Sequence, residues 1–235
     1  MRLDKALVHR GLVSTRSQAE SFIKLGAVQV NGKVATKAGI EVRDSDKLQL
    51  TAAEQYVSRA GLKLASVAEK LHMNFASKVV LDVGSSTGGF TDYVLQHGAN
   101  KVIAVDVGTD QLHPSLQQHP RIELHEKTDI RQFNTTQEID IVVIDVSFIS
   151  IKEVLPSVKK LAQANTQIIA MVKPQFEAGS GAMHSGVIKN DTMRRDILAG
   201  FEQWARANFV IIDKADSEVA GAKGNKERFY LLRIL

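Results

Sequence analysis

The run Val79-Val80-Leu81-Asp82-Val83-Gly84-Ser85-Ser86-Thr87-Gly88-Gly89-Phe90 leaves this chain few folds to choose from. A β-branched apolar segment ends in an acid and breaks into small residues, before Phe90, Val94 and Leu95 resume at helical spacing. That pattern is strand, tight turn, helix. Glycine at such a turn admits backbone N–H groups to a ligand that a Cβ would exclude, and the helix start adds the positive end of its dipole. A second buried strand, Lys101-Val102-Ile103-Ala104-Val105, ends in Asp106. A carboxylate about 20 residues beyond the glycine turn is placed to hold the two hydroxyls of an adenosine ribose. Together the turn and the second acid predict a ligand that contains adenosine.

The spacing Asp82-x-Gly84-x-x-x-Gly88 lacks the third glycine of a dinucleotide fingerprint and the lysine of a P-loop, which argues against NAD and ATP. Gly84-Ser85-Ser86-Thr87-Gly88 also satisfies G-x-S-x-G, with Asp145 and His184 in the chain order of an α/β-hydrolase. A nucleophile elbow normally has several strands before it, whereas the strand at Val79 reads as the first of its domain. A plain tight turn is the third reading. The turn also resembles motif I of the S-adenosylmethionine-dependent methyltransferases, where the glycines face an amino acid and a ribose instead of phosphates.

From Lys78 onward strands and helices alternate, the pattern of a doubly wound α/β sheet. Strands are expected near Val79–Val83, Lys101–Val105, Ile122–His125, Ile139–Asp145, Gln167–Val172, Phe209–Ala215 and Phe229–Ile234. An amphipathic helix near Met193–Ala207 turns Ile197, Leu198, Phe201 and Trp204 inward. Ligands in such sheets sit outside the carboxyl ends of the strands. The candidates are therefore Asp82, Gly84, Ser85, Ser86 and Gly88 after the first strand, Asp106 after the second, Asp129 after the third, Asp145 after the fourth and Lys173 after the fifth. Asp106 as a helix cap and Asp129 as a turn former are the simpler readings of those two. Lys173, fixed by Pro174 at the end of a buried strand, is partly desolvated and a candidate general base. Glu227, opening the last strand, can orient an ammonium. Glu177 to Asn190, rich in Gly and Ser, reads as a lid over a substrate or as a long loop.

Before Lys78 the pattern differs. Leu3, Ala6, Leu7 and Leu12 form a helical stripe stopped by Gly11, and Thr15 and Gln18 have capping-box spacing ahead of Ala19, Phe22 and Ile23. Ala27-Val28-Gln29-Val30 alternates as a strand, Asn31-Gly32 predicts a type I′ hairpin, and Lys47–Leu50 completes a small α+β unit. The expected division is 1–50, a linker 51–57, and 58–235, where a helix from Ser58 uses Leu64, Val67, Ala68 and Leu71. Taken alone, Lys63 beside that stripe reads as a snorkelling surface lysine.

Arg2-Leu3-Asp4, Thr15-Arg16, Ala19, Ile23, Gly26, Val28, Val30-Asn31-Gly32 and Asp46 resemble the RNA-binding module of ribosomal protein S-four. That resemblance implies that Arg2, Lys5, Arg10, Arg16 and Lys24 face a structured RNA. Lys63, Asp145, Lys173 and Glu227 resemble the Lys-Asp-Lys-Glu tetrad of RNA ribose 2′-O-methyltransferases. With Val57-Ser58-Arg59, Asp145-Val146-Ser147-Phe148-Ile149-Ser150 and Val172-Lys173-Pro174-Gln175-Phe176-Glu177 added, the whole chain resembles the TlyA family, often labelled hemolysin A. Tyr56, where some members carry Trp, and Ala60-Gly61-Leu62, where others carry Gly-Ala-His, depart from it.

The resemblance implies a Rossmann-like methyltransferase sheet behind a small α+β RNA-binding domain, S-adenosylmethionine as cofactor, and methylation of cytidine ribose in ribosomal RNA or ribosomal subunits. The reaction itself requires no metal. Lys173 would act as base or oxyanion stabiliser, Lys63 would orient the ribose, and Asp145 and Glu227 would tune the charge, with Asp129 at the adenine amino group. Two other readings stay open, a membrane-damaging hemolysin and a non-catalytic RNA-binding protein on a methyltransferase fold.

Composition narrows these. The chain has no cysteine, which excludes disulfides and thiolate metal sites, and its seven histidines lack ligand spacing. Nine of the 30 basic residues face only six acids within residues 1–57, so most of the net charge of +4 sits there, as on a polyanion-binding appendage. No apolar run is long enough to span a bilayer, and Met1-Arg2-Leu3-Asp4-Lys5 is charged where a signal peptide is apolar. A cytoplasmic location without membrane contact is the expectation. Oligomeric state leaves no trace in these residues.

Overall fold

The structure is a computed structural model that describes residues 1–13, 16–24, 27–50, 56–178, 187–188, 190–219, 221 and 224–235. The chain divides into two compact units, Met1–Arg59 and Ala60–Leu235.

In the first unit, α1 (Leu3–His9) and α2 (Arg16–Lys24) stand beside a three-stranded antiparallel sheet of β1 (Val28–Val30), β2 (Lys33–Val34) and β3 (Leu48–Leu50), in the order β2-β1-β3. The helices bury Leu3, Ala6, Leu7, Ala19, Phe22 and Ile23. α1 ends before Gly11, which takes φ +67°, so Val13 is buried where the stripe predicted Leu12. Thr15 and Gly26 lie outside the described residues. Asn31 and Gly32 have φ of +52° and +79°, as a type I′ turn requires. The Asn31 side chain also joins the hairpin to the third strand, donating to Asp46 Oδ1 at 2.9 Å and accepting from the Lys47 N–H at 2.8 Å.

Three of the cations expected to meet RNA have partners inside this unit. Arg2 and Arg16 grip the fully buried Asp4, with Arg2 donating to both oxygens and Arg16 Nε donating to Oδ2 at 2.7 Å. Arg10 donates to the backbone carbonyls of Asp46 and Arg43 at 2.6 and 2.9 Å, so its guanidinium braces a turn. Lys5 is exposed, and the side chain of Lys24 lies outside the described residues.

Chiefly through its hydrogen bonds from Arg2, the Asp4 carboxyl is held down at about 2, from an ordinary 3.8. A carboxylate with a depressed value stabilises the fold above its ordinary pKa, and that contribution disappears as pH falls from about 4 toward about 2. Asp4→Asn is expected to destabilise the protein at neutral pH and to flatten that acid limb, as read by thermal unfolding across the same range.

The second unit begins within α3 (Arg59–Ala68) and continues through β4 (Val79–Val83), α4 (Gly89–Gln96), β5 (Lys101–Val105), β6 (Ile122–His125), β7 (Ile141–Ile144) and α5 (Ile151–Leu161). β8 (Gln167–Val172), the one-turn α6 (Pro174–Glu177), α7 (Asp191–Arg206), β9 (Phe209–Asp216) and β10 (Arg228–Ile234) complete it. The strands form a seven-stranded sheet in the order β6-β5-β4-β7-β8-β10-β9. β4 to β8 run parallel, and β10 is antiparallel to both its neighbours. Strands covered on both faces read as unbroken apolar runs, and all of β7 and nearly all of β4 and β5 are buried.

The chain leaves β4 toward β5 and β6, then returns to β7 on the other side. That reversal opens a crevice at the carboxyl ends of β4 and β7. β7 is shorter than predicted at both ends, and the Asp140 side chain just before it accepts from Lys78 and the Val79 N–H. In α7, Leu198 and Phe201 are buried while Trp204 is only partly covered, and Phe201 packs on Tyr230 at 4.8 Å.

Candidate active site

The turn after β4 is drawn tight against the end of β7. Gly84 has φ +83°, and a Cβ there would lie 2.7 Å from the backbone oxygen of Asp145. Gly88, the residue before α4, has φ +88°, and a Cβ there would collide with Leu112 and Leu116. Gly84 therefore lets the turn approach the end of β7, whereas Gly88 lets the 112–116 segment close over the helix start. Asp82 lies behind the turn, fully buried, with Oδ2 accepting from Thr91 Oγ1 at 2.6 Å and Oδ1 without a hydrogen-bond partner. Burial pushes its carboxyl up to about 7, against the Thr91 bond and with help from the charge of Asp145.

A cavity of about 490 Å³ extends from Gly84 and Ser86 past Asp106 to Thr128, Asp129 and the 145–149 segment. Asp106 accepts the N–H of Ser86 and of Gly108, at 2.8 and 2.7 Å, so it closes its own loop while lining the cavity. Asp129 also lines it, but both its oxygens are engaged by Arg131, which holds its carboxyl below the usual range. Arg131 had no place in the sequence reading. A second cavity of about 140 Å³ shares Gly84, Ser86, Asp145 and Ser147 with the first and adds Ser85, Phe90 and Lys173. Ser85 Oγ is buried there without a hydrogen-bond partner.

Lys173 Nζ lines the smaller cavity, 2.5 Å from Asp145 Oδ1 and donating to Ser147 Oγ at 2.7 Å, and these two partners line both cavities. Lys63, buried rather than snorkelling, lies 2.5 Å from Glu227 Oε2. The contact is an ion pair by distance without the alignment of a hydrogen bond, since Glu227 Oε2 accepts none. Val172 pairs with Arg228 across β8 and β10, so Glu227 stands one step further on, opposite Lys173. Strand register thus sets Glu227 beside Lys173, and α3 brings Lys63 to Glu227, so the four residues form two ion pairs. Ser147, marked in the sequence only as part of a segment resembling the TlyA family, joins them as the acceptor of the Lys173 hydrogen bond. Phe148, from the same segment, takes φ +67° and stands 92% exposed at the cavity rim, with its ring 5.3 Å from that of Phe176.

An esterase reading finds no support. Ser86 Oγ donates to Gln111, Asp145 is paired with a lysine, and His184 lies outside the described residues.

A parallel sheet with one antiparallel strand, an adenosine-sized cavity at its reversal point and paired lysines and acids beside it define a methyltransferase domain. The model of the FtsJ-like methyltransferases matches residues 56–234, and that of the S4 domain matches residues 1–48. The chain belongs to the FtsJ-like methyltransferase family, with an S4 domain in front. It is 36% identical to hemolysin A of Brachyspira hyodysenteriae over 97% of each chain. It is also 36% identical to the 16S/23S rRNA (cytidine-2′-O)-methyltransferase TlyA of Mycobacterium tuberculosis, over 99% of this chain and 89% of that one. A solved structure from Streptococcus thermophilus that carries the hemolysin name superposes with a TM-score of 0.76 at 34% identity, covering 100% of this chain and 88% of that one. No helix among the described residues is long and apolar enough to cross a membrane, and no cluster of three or more His, Cys, Asp or Glu there could hold a metal.

Proposed function

We propose that this protein methylates the ribose 2′-hydroxyl of cytidine in ribosomal RNA with S-adenosylmethionine, in the cytoplasm. The observation that carries the reading is Lys173, in the wall of the smaller cavity and held between Asp145 and Ser147, which also line the cavity of about 490 Å³. The residues fit the cofactor. Gly84 lets the turn lie against the end of β7 where a Cβ would strike the Asp145 carbonyl, Asp106 is a carboxylate in the cavity wall, and Ser85 Oγ is a buried hydroxyl in need of a partner.

S-adenosylmethionine supplies an activated methyl group. What remains for the protein is alignment and the fate of one proton. Lys173 Nζ meets the 2′-hydroxyl and either takes its proton, as the neutral amine, or holds the developing alkoxide, as the ammonium paired with Asp145. Asp145 and Ser147 fix that nitrogen, and Lys63, fixed by Glu227, orients the ribose. Phe148 offers an exposed face on which an unstacked base can lie. In the first unit Lys5 and the outer faces of Arg2 and Arg16 meet phosphates. Arg10 keeps a structural role.

Transfer of labelled methyl from S-adenosylmethionine to naked rRNA, free subunits and whole ribosomes, followed by nuclease mapping, tests the reading. A 2′-O-methylcytidine in rRNA is the expected product, and label in no RNA refutes it. Calorimetry without cofactor binding would favour a purely RNA-binding protein, and dye release from liposomes would favour the hemolysin.

A further inference from the structure

Glu177 belongs to neither cavity, yet it is a largely buried carboxylate a few residues from Lys173. Its Oε2 accepts from Ser150 Oγ at 2.6 Å, and its Oε1 accepts the Ile151 N–H at 2.8 Å. Ser150 is the N-cap of α5 and accepts from the Lys152 N–H. Glu177 therefore brings a negative charge to the first turn of an 11-residue helix, where free N–H groups and the helix dipole favour one.

The consequence lies at the other end of α6. That helix is a single turn, too short to hold its shape unaided. Its bearing on the β7–α5 loop comes from three contacts in register. Lys173 forms an ion pair with Asp145 and donates to Ser147, the Phe176 ring meets that of Phe148, and Glu177 meets Ser150 and Ile151. The first contact is the catalytic one and the third is its far anchor. Lys173 is the extended residue immediately before α6, and the Phe176 N–H donates to its carbonyl at 2.9 Å, so the turn that carries Phe176 and Glu177 is tied directly to Lys173.

We infer that Glu177 is a positioning residue for methyl transfer: by clamping α6 to the start of α5, it fixes Lys173 Nζ between Asp145 and Ser147. The inference rests on the function proposed above for Lys173. Glu177 itself touches neither substrate nor cofactor.

The test compares wild type, E177A, E177Q, S150A and S150A/E177A in single-turnover methyl transfer at saturating cofactor and rRNA. Cofactor affinity by calorimetry and thermal melting are measured alongside. E177A is expected to slow transfer by about tenfold or more, because small displacements of a reacting group are costly in rate. Its cofactor affinity and the KM for rRNA should stay within about twofold of wild type. E177Q, which keeps one acceptor, should fall between the two. S150A/E177A should be no slower than E177A, since both changes break one clamp.

A residue that only capped α5 would lower the melting temperature and leave the single-turnover rate alone, and that result overturns the inference. Additive losses in the double variant also overturn it. Should E177A fail to fold, E177Q decides, and a wild-type rate in folded E177Q is fatal. If wild type itself transfers no methyl, the functional reading falls separately. The clamp is then judged by the ¹³Cε NMR signal of Lys173, which must shift between wild type and E177Q.

Discussion

Lys173→Met lowers methyl transfer to rRNA by about a thousandfold while the protein still binds S-adenosylmethionine; this is the largest catalytic loss expected of any single substitution. Methionine matches the unbranched stem of lysine and removes only the nitrogen that contacts Asp145 and Ser147. Proton transfer and charge stabilisation at a reacting oxygen are each worth about 10²–10⁴ in rate. The larger cavity is lined without Lys173, so cofactor affinity should move by less than about threefold. Losing the cation leaves Asp145, only 15% exposed, without its ion-pair partner, so a melting temperature lower by several degrees accompanies the kinetic loss. Lys173→Arg keeps the charge but carries it on a wide planar fork, and it should restore stability more than rate. A Lys173→Met enzyme that turns over at the wild-type rate would move the chemistry elsewhere in the cavity.

What could be read from the chain divides along physical lines. β4, β5 and β7 were legible because strands buried on both faces must be apolar throughout, and Asn31-Gly32 because few pairs tolerate two positive φ angles. Asp106 and Asp145 followed from the rule that places ligands at strand ends, and the structure sets both at the cavity. Lys63 is the opposite case. Beside its own helix it reads as a surface lysine, and only a partner on the last strand makes it a buried cation. Periodicity within one element cannot see such a pairing, so it entered through resemblance.

Arg10 shows the same limit in reverse. Its bonds go to backbone carbonyls, which no residue identity reveals, so a guanidinium expected to meet RNA turns out to brace a turn. Asp129 was located correctly after its strand, but its engagement by Arg131, two residues on, makes turn and cavity wall of one carboxylate. A one-turn helix such as α6 has no period to detect, and neither does a solitary exposed aromatic such as Phe148.

The second large effect concerns the other half of the tetrad, where stability and chemistry can be separated. Lys63 and Glu227 are 10% and 3% exposed, and Gly221 leaves room for the glutamate where a Cβ would stand 2.8 Å from Oε1. Lys63→Met strands a buried carboxylate and Glu227→Leu strands a buried ammonium. Each is expected to cost about 3–5 kcal/mol in urea unfolding, the usual consequence of removing one partner from a buried pair. Lys63→Met/Glu227→Leu removes both charges together, and its stability should return to within about 1–2 kcal/mol of wild type, because apolar replacement of a whole buried pair is often neutral. Methyl transfer should not return with it, since the restored fold holds no ammonium to orient the ribose. A double variant as active as wild type would assign the pair to the fold alone. A double variant that loses the sum of the two single costs would mean that the two charges are not coupled, and that strand register brings Glu227 opposite Lys173 for another reason.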